Sequence, residues 1–231
     1  MSLELSILSH LVEGLDPVQS LRAISNLGVK VKFSSSLGEE DQVITEMIAT
    51  NKLDIPIFTL DTGRLFYESY DLLQLTTSKY NVKIETYHPD PSELQEYSKH
   101  HGMNGFYKSV ELRQRCCEIR KINPLKLALQ NTDIWITGLR AKQSSNRSSL
   151  TKIAWDETFQ VFKFNPLLHW GVDELREYID HHHVPINPLH TKGFTSIGCA
   201  PCTRAVSVGE DPRAGRWWWE QSKKECGLHQ H

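Results

Sequence analysis

Val29-Lys30-Val31-Lys32-Phe33-Ser34-Ser35-Ser36-Leu37-Gly38-Glu39 contains a strand, a tight turn and the start of a helix. Apolar and polar residues alternate over 29–33, the period of a strand with two unlike faces. The small residues 34–38 break that pattern, and 39–50 reads as a helix. The same order of signals then repeats. Residues 55–60 predict a second strand ending in Asp61-Thr62-Gly63, with a helix from 64 to about 79. Residues 82–87 predict a third strand, followed by a helix over 91–101. A longer helix over 109–130 comes next, which Pro124 bends or splits. Ile134-Trp135-Ile136-Thr137-Gly138 predicts a fourth strand opening into a polar loop, 139–149. Strands alternating with helices specify an α/β fold with a parallel sheet covered on both faces. Such sheets bind ligands outside the carboxyl ends of their strands. The segments Ser34–Gly38, Asp61–Gly63 and Gly138–Gln143 all follow strands, so one rim is expected to carry them.

Working outward, residues 3–26 carry apolar positions at helical spacing and predict one or two N-terminal helices. Beyond 150 come strand-like pieces at 153–155 and 160–164 and a helix over 172–181. A Pro- and Gly-rich stretch with a C-x-x-C follows. The organisation expected is a single domain over 1–231: helices over 1–28, an α/β core over 29–190, and a cysteine-bearing segment with a mobile tail over 191–231. The 231 residues are 39% hydrophobic and 23% charged with net charge −2, a composition that excludes disorder, collagen-like repeats and coiled coil. No apolar run approaches a membrane span. Met1-Ser2-Leu3-Glu4 has no basic leader pattern, and the cysteine grouping is not a disulfide framework, so the expected location is cytoplasmic.

The near-neutral total conceals an asymmetry. From Lys108 to Arg147 nine Lys/Arg face three acids, a local +6 that leaves −8 on the rest. A sequence pI of 6.6 argues against nucleic acid and for a small phosphorylated anion. Ser34-Ser35-Ser36-Leu37-Gly38 leads into a helix N-terminus, where free N–H groups and serine hydroxyls favour an anion. It lacks the Walker pattern. The adjacent Cys116-Cys117 and the pair Cys199-x-x-Cys202 supply four thiols, suited to tetrahedral zinc or an iron–sulfur cluster. Adjacent cysteines on a helix diverge, and reach corners of a bulky cluster more readily than one small ion. This favours iron–sulfur over zinc or unligated thiols. Cys226 is left over, preceded by Lys223 and Lys224 and followed by His229, neighbours that raise its thiolate fraction. Arg213 and Arg216 supply forks for phosphate or sulfate just before three tryptophans. Those tryptophans are expected to pack, and His181-His182-His183 to be a solvated helix end.

Together these motifs resemble the assimilatory adenosine 5′-phosphosulfate reductases, the iron–sulfur branch of the phosphoadenylyl-sulfate reductase family. The resemblance rests on Ser34 to Asp41, Leu60-Asp61-Thr62-Gly63, Cys116-Cys117-x-x-Arg120-Lys121 and Gly138-Leu139-Arg140. It extends through Gly198-Cys199-Ala200-Pro201-Cys202-Thr203-Arg204, Gly209 to Glu220 and Glu225-Cys226-Gly227-Leu228-His229. It implies a Rossmann-like, adenine-nucleotide α-hydrolase type fold with a C-terminal cluster-binding segment. It further implies a [4Fe–4S] cluster on Cys116, Cys117, Cys199 and Cys202, with Cys226 as nucleophile. Lys121, Arg213, Arg216 and His229 are implied as the cations of the reaction. Ser34, Ser35, Ser36, Leu37 and Gly38 are implied to cradle the nucleotide, with Asp61, Thr62, Gly63, Gly138 and Leu139 beside it and Arg140 closing the site. Lys121 stands four residues after Cys117, so an unbroken α-helix would place both on one face. Ala141-Lys142-Gln143 stands where family members often carry a second Arg.

The activity so implied is thiol-dependent reduction of adenosine 5′-phosphosulfate to sulfite and AMP through an S-sulfocysteine. Thioredoxin or a glutaredoxin is the implied reductant, and no nucleic acid or membrane partner is expected. Oligomeric state, including a homo-oligomer, is not fixed by the sequence. A 3′-phosphorylated substrate is the near alternative. A tRNA-thiolating ATP pyrophosphatase is more remote, because Ser34–Gly38 does not match the S-G-G-x-D-S loop. A zinc-stabilised binding module would leave Cys226 and the paired arginines idle.

Overall fold

The computed structural model describes residues 3–143, 147 and 149–220. The N-terminal pattern forms two helices, α1 (Leu5–Val12) and α2 (Pro17–Ser25). Asp16 accepts from the Gln19 backbone N–H at 2.8 Å, and the Gln19 side chain accepts from the Asp16 N–H at 3.3 Å. This reciprocal cap, with Pro17 in the first turn, explains why α2 starts there.

Six strands follow: β1 (Val31–Ser34), β2 (Ile57–Leu60), β3 (Ile84–Tyr87), β4 (Ile134–Ile136), β5 (Ile153–Asp156) and β6 (Val161–Phe164). They form one sheet in the order β3-β2-β1-β4-β6-β5. β1 runs parallel to both β2 and β4, with Phe33 opposite Ile57 and Ile136, and β4 runs parallel to β6. The α/β fold with a mostly parallel sheet is therefore the one expected. β5 departs from the all-parallel expectation by pairing antiparallel with β6. Only residues 157–160 join these two strands, too few for the crossover that parallel pairing needs. Asp156 shapes that turn by accepting from the N–H groups of Thr158 and Phe159.

The remaining helices are α3 (Glu39–Thr50), α4 (Tyr67–Tyr80), α5 (Pro91–His101), α6 (Val110–Cys117), α7 (Asn123–Ala128) and α8 (Val172–His182). The long helix expected over 109–130 is divided, but not by a kink at Pro124. A π-helical turn, Glu118–Ile122, separates α6 from α7. Proline has no N–H to give the preceding turn, and the widened turn ahead of Pro124 absorbs that missing donor. Among the described residues, no helix is long and apolar enough to cross a membrane.

Two compact units share the chain. One comprises the residues up to Thr59, Leu72–Glu85 and Leu129–Ile186; the other comprises Leu60–Asp71, Thr86–Ala128 and the chain from Asn187 onward. The first unit is built on the sheet's apolar faces, with Phe33, Ile44, Ile134, Ile136 and Phe164 fully buried. The second has a smaller core of Phe106, Cys202 and Trp217, against which Cys116, Cys199 and Trp219 pack. Its cysteines are thus core residues, a common fate of free thiols.

A buried ion pair fixes the β5–β6 hairpin. Lys163 Nζ lies 2.6 Å from Asp156 Oδ2 and 4.8 Å from the Trp135 ring centroid. Asp156→Ala strands that ammonium in the core and removes the turn cap, and should destabilise the chain by roughly 3–5 kcal/mol. Urea unfolding of the two proteins checks this; a loss below about 1 kcal/mol would show the pair to be dispensable.

Candidate active site

In the first unit the turn after β1 is held from within. Ser34 Oγ accepts from Trp135 Nε1 at 2.7 Å, and Ser35 Oγ accepts from the Leu37 N–H at 3.2 Å. Ser36 donates through both its N–H and its hydroxyl to Asp41 Oδ2, each at 2.6 Å. Leu37 takes a left-handed φ of +62°, a strained conformation for a branched residue, and Gly38 caps α3. The Ser36 hydroxyl expected to face an anion is thus engaged inside the loop, and so are the N–H groups of Ser35, Ser36 and Leu37, which donate to the Phe58 carbonyl, Asp41 and Ser35 Oγ. The first turn of α3 also carries Glu39, Glu40 and Asp41.

Asp41 is the residue that sequence reasoning missed here, although it stands in the quoted motif. Its carboxylate also accepts from the Gly138 N–H after β4, so one buried side chain ties two strand-end loops together. A Cβ on Gly138 would lie 2.1 Å from Asp41 Oδ1, which is why that position holds glycine. Burial chiefly, and then the charge of Glu40, push the Asp41 carboxyl up to about 6 against the lowering effect of its hydrogen bonds. Leu139 is buried. Arg140 is buried as well, its guanidinium 2.7 Å from Glu40 Oε1 and donating to the Trp170 carbonyl at 3.2 Å.

In the second unit the four cysteines expected to hold a cluster come together. Cys116 and Cys117 end α6, whose start is capped by Ser109. Cys199 and Cys202 flank a 3-10 turn, with the Cys202 N–H donating to the Cys199 carbonyl at 2.9 Å. All four line one cavity with Arg64, Arg113, Arg120 and Lys121. Among the described residues, no three His, Cys, Asp or Glu side chains converge to hold a single metal ion.

The electrostatics differ from thiol to thiol. Burial raises the Cys199 pKa, but the charge of Lys121, a hydrogen bond to Thr62 Oγ1 and the charges of Arg216 and Arg120 outweigh it, and the net shift is downward. The Cys199 to Thr62 distance is 3.3 Å. Burial, with Cys199 and Cys117 as like-charged neighbours, pushes Cys202 up to about 12. Burial also raises Cys116, against the opposing charge of Arg120. Lys121 reaches this cavity from the π turn, not from the continuous α-helix face that the four-residue spacing assumed. The widened turn changes which residues share a face.

The tetrapeptide 60–63 is a scaffold for these thiols. Asp61 Oδ1 accepts from the Gly63 N–H and from the Tyr70 hydroxyl, each at 2.8 Å. Gly63 takes φ +68°, and Arg120 donates to the Thr62 carbonyl. Arg216 is buried, donates to the Ile197 carbonyl at 3.2 Å and lies 4.8 Å from the Trp217 ring centroid. A Cβ on Gly198 would meet that guanidinium at 2.3 Å, so the glycine before Cys199 makes room for Arg216. The Arg213 backbone N–H donates to Asp211 at 2.7 Å. Arg113, Glu220 and Arg64 also belong to this site; Glu220 ends the Gly209–Glu220 motif with no role assigned to it there, and no motif signal distinguished Arg113 and Arg64 from surface charges. Of the expected tryptophan packing, Trp217 is fully buried and Trp218 is 40% exposed. The histidine tract is an exposed helix end, as expected, where His182 also stacks on Tyr178 at 4.0 Å and lies 3.3 Å from buried Glu46. Cys226 and His229 lie outside the described residues.

Residues 30–205 match the phosphoadenosine phosphosulfate reductase domain. An adenosine 5′-phosphosulfate reductase of Allochromatium vinosum is 52% identical over 200 residues, covering 86% of this chain and 78% of that protein. The one of Sinorhizobium fredii is 46% identical over 98% of this chain and 90% of its own length. A crystal structure of phosphoadenylyl-sulfate reductase from Candida auris, as a phosphate complex, superposes with TM-score 0.76 at 26% identity, over 89% of this chain and 99% of that one. A Candida glabrata FMN adenylyltransferase shares the fold at TM-score 0.58 and 16% identity, over 90% of this chain and 68% of its own.

The Asp41 environment has a measurable pH signature. The folded chain holds this proton up to about pH 6, whereas an unfolded Asp releases it near 3.8. Stability from this group is therefore present at low pH and lost as pH rises between those values. Asp41→Asn should remove that loss, so the stability gap between variant and wild type grows by on the order of 3 kcal/mol from pH 4 to 6.5. Denaturant midpoints across that range check it; a constant gap would contradict the assignment.

Proposed function

We infer, from the premise that the chain belongs to the phosphoadenosine phosphosulfate reductase domain family, that it reduces adenosine 5′-phosphosulfate to sulfite and AMP. It is an oxidoreductase acting on sulfur, with a place in sulfate assimilation. The reading is carried by 44–52% identity to reductases of that substrate. It agrees with the cation-lined thiol cavity of the second unit. The 3′-phosphorylated substrate is not favoured, since the bacterial relatives bear the name of the simpler one.

Cys226 is the nucleophile of this reading. Its thiolate attacks the sulfate sulfur, the bond from sulfur to the bridging oxygen breaks, and AMP leaves with the electron pair. A Cys226 thiosulfonate results. A dithiol protein of the thioredoxin or glutaredoxin class then attacks the cysteine sulfur, and sulfite leaves with the electron pair. The donor's second thiol resolves the mixed disulfide, which restores Cys226 and oxidises the donor. Two anions meet in the first step, so positive charge is needed at the sulfonyl oxygens. Lys121, Arg213, Arg216 and His229 supply it. Ser34, Ser35, Ser36, Leu37, Gly38, Gly138 and Leu139 are assigned to the nucleotide, and Asp61, Thr62 and Gly63 to substrate binding. Arg140 closes on the nucleotide by exchanging Glu40 for an anionic oxygen.

Cys116, Cys117, Cys199 and Cys202 would hold a [4Fe–4S] cluster. Four thiols that line one cavity without converging on one point suit a multi-iron group better than a single zinc ion. Among the described residues the buried Arg120 Nε, on the cavity wall, has no hydrogen-bond partner, and a group carrying sulfide acceptors gives such a donor something to bond. When bound, the cluster supplies positive iron centres that let four thiolates share a buried site.

Substrate added without reductant should give wild type the mass of one SO₃ group. Cys226→Ser should gain none while keeping wild-type iron content. An adduct on the variant at the wild-type rate would overturn the nucleophile assignment.

A further inference from the structure

Arg113 and Glu220 form an ion pair buried to 2% and 4% side-chain exposure. Arg113 Nε donates to Glu220 Oε1 at 3.0 Å and Nη2 to Oε2 at 2.9 Å, the bidentate fork that fixes direction as well as distance. The same guanidinium bonds the Cys117 sulfur and lies 4.7 Å from the Trp217 ring centroid. Trp217 is itself tightly held. Its φ is +42°, rare for a bulky residue, and its N–H donates to the Cys202 carbonyl at 3.1 Å. The Glu220 N–H donates in turn to the Trp217 carbonyl at 2.9 Å. The chain from Trp217 to Glu220 is thus tied to Cys202 through its backbone and to Cys117 through Arg113.

Isolated buried ion pairs contribute little net stability compared with well-packed apolar groups, and their best-attested use is to fix one arrangement against others. What this pair fixes is the origin of the chain's last eleven residues. Cys226 follows Glu220 by six residues, and six residues span at most roughly 20 Å. Where residue 220 stands therefore limits which atoms the Cys226 sulfur can meet.

We propose that Arg113 and Glu220 are positioning residues, which set the approach of the Cys226 thiol to the sulfur atom by holding the root of its segment on the thiol-bearing helix. This rests on the sulfur-transfer reading above. Neither side chain touches substrate. The pair acts on the rate of adduct formation and leaves nucleotide affinity and cluster content alone.

The test uses the full iron-loaded chain under anaerobic conditions, with Glu220→Gln, Glu220→Asp and Arg113→Lys. Three quantities are read: the single-turnover rate of SO₃ gain at saturating adenosine 5′-phosphosulfate, the Kd of AMP, and iron per chain. Glu220→Gln should slow adduct formation by about tenfold or more, since small misplacements of reacting groups cost that much. AMP Kd should stay within about twofold and iron at the wild-type value. Glu220→Asp and Arg113→Lys, which keep both charges, should recover part of the rate. An adduct rate within about twofold of wild type in Glu220→Gln overturns the positioning role. So does iron that falls in step with the rate across the three variants, which would make the pair a support for the cluster alone. A wild-type chain that gains no adduct overturns the functional reading itself, and this role with it.

Discussion

Thiols gathered at one cavity repel one another once they ionise, and the second unit sets three cations against that cost. Burial and mutual repulsion push Cys202 and Cys116 toward the neutral thiol. Lys121, Arg120 and Arg216 oppose this, and at Cys199 they prevail with the help of Thr62. The surrounding architecture serves these contacts. The π turn brings Arg120 and Lys121 to the cavity, Asp61 and Gly63 shape the loop that presents Thr62, and Gly198 leaves room for Arg216. Arg120 donates to the Thr62 carbonyl, and Arg216 donates to the Ile197 carbonyl beside the Trp217 ring.

The first unit solves a different problem with similar economy. A loop assigned to a nucleotide must keep its shape without one. Asp41 provides this by bonding Ser36 twice and Gly138 once. The cost is a carboxylate that ionises reluctantly. Arg140 is likewise paired with Glu40, which neutralises its charge.

The sequence exposed the fold through its periodicity. The strand–turn–helix at 29–50 and the strands at 57, 84 and 134 fall where alternation and small-residue turns placed them. The direction of the β5–β6 pair is not legible in the strands' own pattern, because it is carried by the short 157–160 link. The π turn was invisible, since one residue of extra winding leaves no compositional trace beyond Pro124. In the site, cysteines were legible because few other roles compete for them. Arg113, Arg64 and Glu220 were not, because a buried ion pair and an exposed one look alike in sequence. The +6 segment illustrates the same limit. Arg113 is matched by Glu220 and Arg140 by Glu40, so two of those six charges are neutralised by acids from outside the segment.

The central claim is that the cation-lined thiol pocket holds an iron–sulfur cluster. Metal and acid-labile sulfide analysis of anaerobically purified protein, together with its Mössbauer spectrum, tests it most directly. About four irons and four sulfides per chain, lost together in Cys202→Ser, are the expected result. About one zinc per chain without sulfide, or full iron content in Cys202→Ser, would contradict it.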